Sequence, residues 1–294
     1  MIQLKGEISS ASMKPGRESR TAVLVCMGRA VAHGMTTESR FADPTALALL
    51  PDDARARVER FSADVAPKGM RGRLEHIYLD RQSKVMVART VAIDDAVREA
   101  SSPQLVILGA GLDGRAWRMP ELSETTVFEV DHPDTQREKQ GRIAALTQAA
   151  RDVRFAPVDF TCDSLDDALA AAGHDPVLAT TWLWEGVVMY LTTADIEATL
   201  AIIERRSVVG SRLIIAYHSP ALMLRLIGPF VRRLGEPLRS AFTADTMRAL
   251  LSKYGFGVVW DAAMPTIGDA MSAEIAQATR RMKHLRIVTA DRLS

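Results

Sequence analysis

The pattern of apolar and polar residues divides the chain near residue 100. Before that point, apolar side chains recur at helical spacing. After it, short apolar runs alternate with amphipathic segments, which is typical of an α/β sheet with parallel strands. We therefore expect a helical N-terminal extension or cap over residues 1–100 and a sheet-containing segment over residues 101–294. The predicted N-terminal helices are Glu18–Met35, roughly Pro44–Phe61 and about Leu74–Ala100.

Seven apolar runs in the second segment have the length of β-strands. The predicted strands are Leu105–Leu108, Thr126–Val130, Val153–Val158, Val177–Trp184, Leu213–Tyr217, Phe256–Trp260 and Leu285–Thr289. The helices predicted between them are Asp134–Thr147, Ser164–Ala172, Thr193–Ser207 and Ala244–Lys253. This order predicts a Rossmann-like, doubly wound sheet of about seven strands. Residues 219–242 break the alternation, and we expect there a lid-like insertion, a helix packed on the domain or a basic segment on a membrane surface.

Composition and charge narrow the classes of function. The 294 residues are 47% hydrophobic and 25% charged, and 37 basic against 36 acidic residues leave a net charge of +1. This balance argues against nucleic acid as a partner. Cys26 and Cys162 lie far apart with no C-x-x-C pattern, so we expect no metal site and a reducing, cytoplasmic setting. We also expect no signal peptide and no integral membrane association.

A glycine-rich turn follows the first predicted strand. Residues 105–114 read LVILGAGLDG, and Gly109, Gly111 and Gly114 fit the G-x-G-x-x-G pattern. Such a turn lets a ligand approach the backbone at the N-terminus of a helix. A dinucleotide or S-adenosyl-L-methionine would fit there, and a plain tight turn would give the same pattern. Gly109, Ala110 and Gly111 are the candidate cofactor-binding backbone.

Carboxylates follow the next three strands at the edge of the sheet where ligands bind. Asp131 comes twenty residues after Gly111, where a carboxylate can accept from ribose hydroxyls. Asp159 and Phe160 are candidates for the adenine end of a cofactor, although Asp159 could equally cap the next helix. Glu185 favours a cationic sulfonium or ammonium over a nicotinamide, with a helix cap as its alternative role.

A set of motifs in a fixed order carries a resemblance to a known family. The chain resembles the leucine carboxyl methyltransferase-like proteins, and more closely their bacterial relatives that depend on S-adenosyl-L-methionine. The resemblance implies a class I methyltransferase fold and this cofactor. The matching pieces are SRTAVLVCMGRA (19–30), RFADPTALALL (40–50), ARTVAIDD (88–95), LGAGLDGRAWR (108–118), FEVDHPDTQ (128–136), VDF (158–160) and WEGVVMYLT (184–192).

The resemblance also implies roles for individual residues. Arg89 looks like the arginine that pairs with the methionine carboxylate of the cofactor. Asp131 looks like the ribose ligand, and Glu185 like the residue near the amino-acid end. The implied cofactor-binding set is Arg89, Gly109, Ala110, Gly111, Asp131, Asp159, Phe160 and Glu185. This chain departs from the family at Gly114, where members usually carry Thr or another small polar residue.

These observations favour an S-adenosyl-L-methionine-dependent methyltransferase that acts on a carboxyl or hydroxyl oxygen of a small molecule. Tyr190 is a candidate for orienting the acceptor, and His218 is a candidate general base, although either could be structural. An NAD(P)-dependent oxidoreductase is the second hypothesis, and a cofactor-binding protein without turnover is the third. The sequence leaves the oligomeric state open and is compatible with a homo-oligomer.

Overall fold

A seven-stranded mixed sheet forms the centre of the molecule. The computed structural model describes residues 20–63, 69–159, 163–220 and 238–294, apart from the side chains of Arg20 and Arg71. The strands are β1 (Gln104–Leu108), β2 (Thr126–Asp131), β3 (Asp152–Pro157), β4 (Thr180–Trp184), β5 (Arg212–His218), β6 (Phe256–Ala263) and β7 (Leu285–Arg292). Their order across the sheet is β3-β2-β1-β4-β5-β7-β6. All seven predicted strands are therefore confirmed.

Helices surround this sheet and also precede it. They are α1 (Arg20–Met35), α2 (Ala46–Leu49), α3 (Asp52–Ser62), α4 (Gly69–Ala100), α5 (Arg115–Arg118), α6 (Pro133–Ile143), α7 (Leu165–Ala171), α8 (Thr193–Arg205), α9 (Ala244–Lys253), α10 (Met264–Asp269) and α11 (Ala273–Thr279). Short 3₁₀ turns cover Pro120–Leu122 and Val188–Tyr190. Within the described ranges, no helix combines the length and apolarity needed to cross a bilayer.

The last strand differs from the parallel pattern that the alternation predicted. β1 to β5 pair in parallel, whereas β7 runs antiparallel to both β5 and β6. The reason lies in the connection from β6, which ends in two short helices that the sequence did not predict, α10 and α11. These helices turn the chain back into the sheet from the edge where β6 ends, so β7 must run in the opposite direction.

The central strands β1 and β4 are buried on both faces, as a parallel core requires. Alternate residues of β1 point to opposite faces. Leu105 and Ile107 belong to the core cluster that includes Val91 of α4, whereas Val106 packs in the cluster that includes Leu200 of α8. α4 thus belongs to the N-terminal segment but shares a core with the sheet. The division into a cap and a cofactor-binding domain remains a prediction.

Several predicted elements have different boundaries in the structure, and two of these differences have a clear local cause. The helix expected over Pro44–Phe61 is two helices, because Pro51 lies between α2 and α3 and has no N–H to continue the first. β4 begins at Thr180 rather than Val177, since the preceding residues form a turn in which Leu178 N–H donates to Asp175 O. Most of the insertion expected at 219–242 lies outside the described residues.

Candidate functional site

The glycine turn lies between the ends of β1 and β2. Gly109 and Gly111 have φ angles of +69° and +47°, a region that favours glycine. A side chain at position 109 would also collide with Val187, which follows β4. The N–H groups of Gly109 and Ala110 both donate to Val130 O, at 2.8 and 3.0 Å. The turn is therefore held against the end of β2, as the motif predicts.

Asp131 joins this turn from the end of β2. Its Oδ2 accepts from Gly111 N–H at 2.5 Å, and its Oδ1 accepts from His132 N–H at 2.6 Å. Burial raises the pKa of Asp131 above its ordinary value, while the two N–H donors act in the opposite direction. The structure thus brings the two strongest motif elements into direct contact at the carboxyl edge of the sheet.

Glu185 is placed between two arginines at the end of β4. Its Oε1 lies 2.6 Å from Arg89 Nε, and its Oε2 accepts from Arg115 Nη1 at 3.1 Å. Burial alone would raise the pKa of Glu185, but the guanidinium groups of Arg89 and Arg115 outweigh it and lower the pKa. The alternative role as a helix cap is wrong, because Thr192 caps α8 with a complete capping box.

Arg89 projects from α4 to this same point. It is 7% exposed, and Glu185 is its charged partner within the described part of the chain. Its Nε is buried and makes no well-formed hydrogen bond to the described residues, despite its proximity to Glu185. A buried guanidinium that is not fully hydrogen-bonded can receive a carboxylate. The site therefore fits the amino-acid end that the resemblance implies.

A buried network of charges surrounds this pair, and sequence reasoning missed it. Arg115 Nε donates to Asp94 Oδ1 at 2.8 Å, and Arg118 Nη1 donates to Asp94 Oδ2 at 2.6 Å. Asp43 Oδ2 lies 2.8 Å from Arg29 Nε and 3.6 Å from Arg118 Nε. These contacts join α1, α4 and α5. In the sequence, the signal was the occurrence of charged residues within otherwise apolar stretches, in ARTVAIDD (88–95) and GRAWR (114–118).

Asp159 lies farther from the turn. Its Oδ2 is 3.8 Å from His132 Nε2, and its backbone N–H donates to Asp163 Oδ2 at 2.9 Å. Ser164 caps α7, and the segment that follows Asp159 lies partly outside the described residues, so its alternative role as a cap stays a prediction. His132 caps α6 by accepting from Asp134 N–H. The other adenine candidate, Phe160, lies outside the described residues.

The two candidates for the acceptor side lie on neighbouring segments. The Tyr190 hydroxyl is 3.4 Å from Thr21 Oγ1 in α1. His218 ends β5, and its ring packs edge-on against His284 with centroids 5.4 Å apart. Burial, together with His284 and Arg89, lowers the pKa of His218 to about 4. Phe242 N–H donates to His218 O at 2.9 Å, so the return of the insertion passes beside this histidine.

The packing around position 114 explains why this chain has a glycine there. A Cβ added at position 114 would collide with Thr45 Oγ1, which donates to Asp43 Oδ1 at 2.7 Å. A hydroxyl is therefore present near this position, but Thr45 supplies it from another segment. The departure from the family pattern is accommodated by packing, and the turn is kept.

A charged surface groove of about 360 Å³ lies elsewhere, between α4 and α11. Its lining is mostly charged, with Arg81, Lys84, Arg280 and Arg281 opposed by Asp80 and Glu274. The predicted cofactor-binding residues do not line it. The groove is thus separate from the site at the glycine turn.

The strand order and the antiparallel β7 define the class I methyltransferase fold. The family follows from the sequence, because the model of the family described as "Leucine carboxyl methyltransferase" matches residues 22–204. The chain belongs to the leucine carboxyl methyltransferase family. The resemblance inferred from the motifs is confirmed, and the match includes Arg89, Asp131, Glu185 and Tyr190.

Related proteins carry names of the same kind. A relative from Mycolicibacterium gilvum, named "Putative S-adenosyl-L-methionine-dependent methyltransferase", is 34% identical over 231 residues, which are 74% of this chain and 71% of the relative. A relative of the same description from Streptomyces avermitilis is 35% identical over 170 residues, or 56% of this chain. The chain spans about half the length of some of these relatives, 52% for the one from S. avermitilis and 50% for one from Parafrankia sp..

Solved structures agree on the fold. A DUF574 family protein from S. avermitilis superposes with a TM-score of 0.55 at 13% identity, covering 94% of this chain and 98% of that one. A protein from Bordetella parapertussis gives a TM-score of 0.52 at 15% identity, covering 96% and 100%. At these identities the likeness supports the architecture alone.

Proposed function

We propose that this protein is an S-adenosyl-L-methionine-dependent methyltransferase that methylates an oxygen atom of a small-molecule acceptor. The observation that carries the proposal is the buried Arg89–Glu185 pair beside the glycine turn. An arginine and a glutamate at one point match the carboxylate and the ammonium group of an amino acid. The family and the names of its members support the enzyme class and the cofactor. The carboxyl group in the family description supports oxygen as the acceptor atom.

The remaining cofactor contacts are assigned by position. The backbone of Gly109, Ala110 and Gly111 would be the part of the turn that the cofactor passes. Asp131 would accept from the ribose hydroxyls, and Asp159 with Phe160 would neighbour the adenine. When bound, the cofactor supplies an electrophilic methyl group. The protein must hold the acceptor oxygen in line with it and exclude water.

The acceptor side is proposed to lie between Tyr190 and His218. The lowered pKa of about 4 keeps His218 neutral at neutral pH, so its buried Nδ1 can accept a hydrogen bond from a hydroxyl acceptor, while the same shift makes it a weaker base than an ordinary histidine. A carboxyl acceptor is already ionised at neutral pH and needs no base. Tyr190 would orient the acceptor through its hydroxyl. The described residue Phe242 also lies on this side, since its N–H donates to His218 O.

The cytoplasm is the proposed compartment. Cys26 is buried, and burial raises the pKa of its thiol to about 12, which keeps it protonated and unreactive. Cys26 is a free cysteine, as is typical of proteins in a reducing compartment. The oxidoreductase hypothesis is not favoured by the family, and a cofactor-binding protein without turnover would keep the same residues.

Ligand-induced stabilisation tests the proposal. S-adenosylhomocysteine at a hundredfold excess over its Kd should raise the free energy of unfolding by about 2–3 kcal/mol. NADH at the same concentration should leave it unchanged. Arg89→Met should abolish the response, whereas Arg98→Met, a change at a half-buried position of the same helix outside the site, should keep it. A response to NADH but not to S-adenosylhomocysteine would overturn the assignment.

A further inference from the structure

Arg115 is a buried arginine that contacts three carboxylates. It is 2% exposed. Its Nε donates to Asp94 Oδ1 at 2.8 Å, while its Nη1 pairs with Asp113 and donates to Glu185 Oε2 at 3.1 Å. Asp94 and Asp113 hold the planar guanidinium from two sides. Arg115 therefore presents a fixed donor to Glu185.

Glu185 divides its two oxygens between two cations. Oε1 lies next to Arg89, and Oε2 accepts from Arg115. In the proposed function, Arg89 binds the carboxylate of the cofactor, so its interaction with Glu185 must then be shared or broken. Within the described residues, Arg115 is the other cation in direct contact with Glu185. It would remain in place when Arg89 turns to a ligand.

We propose that Arg115 is a positioning residue for the amino-acid end of the cofactor: it keeps the Glu185 carboxylate ionised and aimed at the ammonium group. The proposal rests on the proposed function, because it presumes that Glu185 receives that ammonium. It adds a residue to which the family resemblance assigned no role. Arg115 itself touches neither the methyl group nor the acceptor.

The charges around Glu185 support this role. Burial acts to raise the pKa of Glu185, and Arg89 from α4, Arg115 from α5 and Arg29 from α1 act to lower it. Asp113 of the glycine loop acts in the same direction as burial. Without Arg115, fewer cations would oppose the rise in the pKa of Glu185 that burial and Asp113 cause. Glu185 would then take up a proton at a higher pH and lose its charge for the ammonium group.

Arg118 provides a matched control. It lies one helical turn from Arg115 in α5 and shares Asp94, to which its Nη1 and Nη2 donate at 2.6 and 3.0 Å. Within the described chain, it forms no hydrogen bond or ion pair with Glu185. Arg118→Met therefore removes a buried charge from the same network while leaving both partners of Glu185 in place.

The test compares the affinities for S-adenosylhomocysteine and for 5′-methylthioadenosine, which lacks the amino-acid end, by calorimetry at pH 8.0 and pH 5.5. Arg115→Met should weaken S-adenosylhomocysteine binding by about 10- to 100-fold and leave methylthioadenosine binding within about threefold. The loss should be larger at pH 5.5. Arg115→Lys should restore part of it, and Arg118→Met should keep the wild-type ratio of the two affinities.

The outcomes separate the two proposals. Equal loss of both ligands in Arg115→Met, or the same ratio as in Arg118→Met, would show a merely structural role and overturn the inference. If Arg115→Met does not fold, Arg115→Lys carries the test, because it keeps a charge but loses the planar fork; an unchanged ratio in that variant would overturn the inference. Wild-type protein that binds neither ligand would instead contradict the proposed function.

Discussion

At the scale of single residues, Gly114 and Thr45 come from two separate segments and pack directly against each other. Thr45 lies just before α2, and its hydroxyl occupies the space that a Cβ at position 114 would need. The two positions are therefore coupled by packing, and a change at one should depend on the residue at the other.

Gly114→Ala should lower the free energy of unfolding by about 1–3 kcal/mol, because its Cβ overpacks a filled space. Thr45→Ala removes the colliding oxygen, so the double variant should be more stable than the sum of the two single changes predicts. The coupling should be about 0.5–3 kcal/mol in urea denaturation. Strict additivity would mean that the backbone moves away instead. Gly141→Ala is the control, since a Cβ there meets nothing within 4 Å.

Individual site residues could be predicted only where a motif fixes their position. Gly109, Gly111, Asp131 and Glu185 all lie at or just after strand ends, so the parallel topology brought them together. Arg115 could not be found in this way. Its partners Asp94, Asp113 and Glu185 come from three separate segments, and their meeting depends on how α4 packs against α5.

At the scale of elements, the buried charges connect helices that are distant in sequence. Asp43 precedes α2 and is fully buried between Arg29 of α1 and Arg118 of α5. It thereby ties the first helix to the turn that follows β1. By contrast, Asp95 meets Arg40 at 3.3 Å on the surface, where both side chains are more than 40% exposed.

Asp43→Asn should lower the free energy of unfolding by about 3–5 kcal/mol, because it leaves buried guanidinium charges without their partner. Asp95→Asn should change it by less than about 1 kcal/mol, since water and salt screen the exposed pair. Chemical denaturation of both variants would measure this contrast. Equal effects would mean that water reaches the Asp43 site.

The elements themselves were the most predictable level. Strand positions followed from apolar runs, because a strand buried on both faces needs apolar side chains at successive positions. The direction of each strand was less predictable than its position. β7 has the same apolar character as its neighbours. Its direction is reversed by the short helices α10 and α11, which have no long periodic pattern in the sequence.

At the scale of the whole molecule, two histidines with lowered pKa values make stability depend on pH. Burial lowers the pKa of His174 to about 4, aided by Arg206, and lowers that of His218 to about 4 as well. Both values lie below the ordinary value of about 6.5 for an unfolded chain. As the pH falls through this window, the unfolded chain takes up protons that the native protein excludes.

The free energy of unfolding should therefore decrease between about pH 6.5 and pH 4, by up to about 1.4 kcal/mol per pH unit for each histidine. His174→Gln should flatten this slope by about one histidine's share while keeping a hydrogen-bonding group near Thr180. His33→Gln, at an exposed position of α1, should leave it unchanged. Denaturation curves measured across this pH range test the prediction. Identical slopes of unfolding free energy against pH in wild type and His174→Gln would contradict it.

The antiparallel β7 has a consequence for how the protein is made. This strand lies between β5 and β6. Neither β5 nor β6 can pair with it until residues 285–292 have been synthesised. During translation, β5 is complete about seventy residues earlier and presents an unpaired edge. Such edges are prone to pair with other chains. The nascent polypeptide is thus most exposed to aggregation in the interval between the synthesis of β5 and that of β7, when chaperone binding would protect it most.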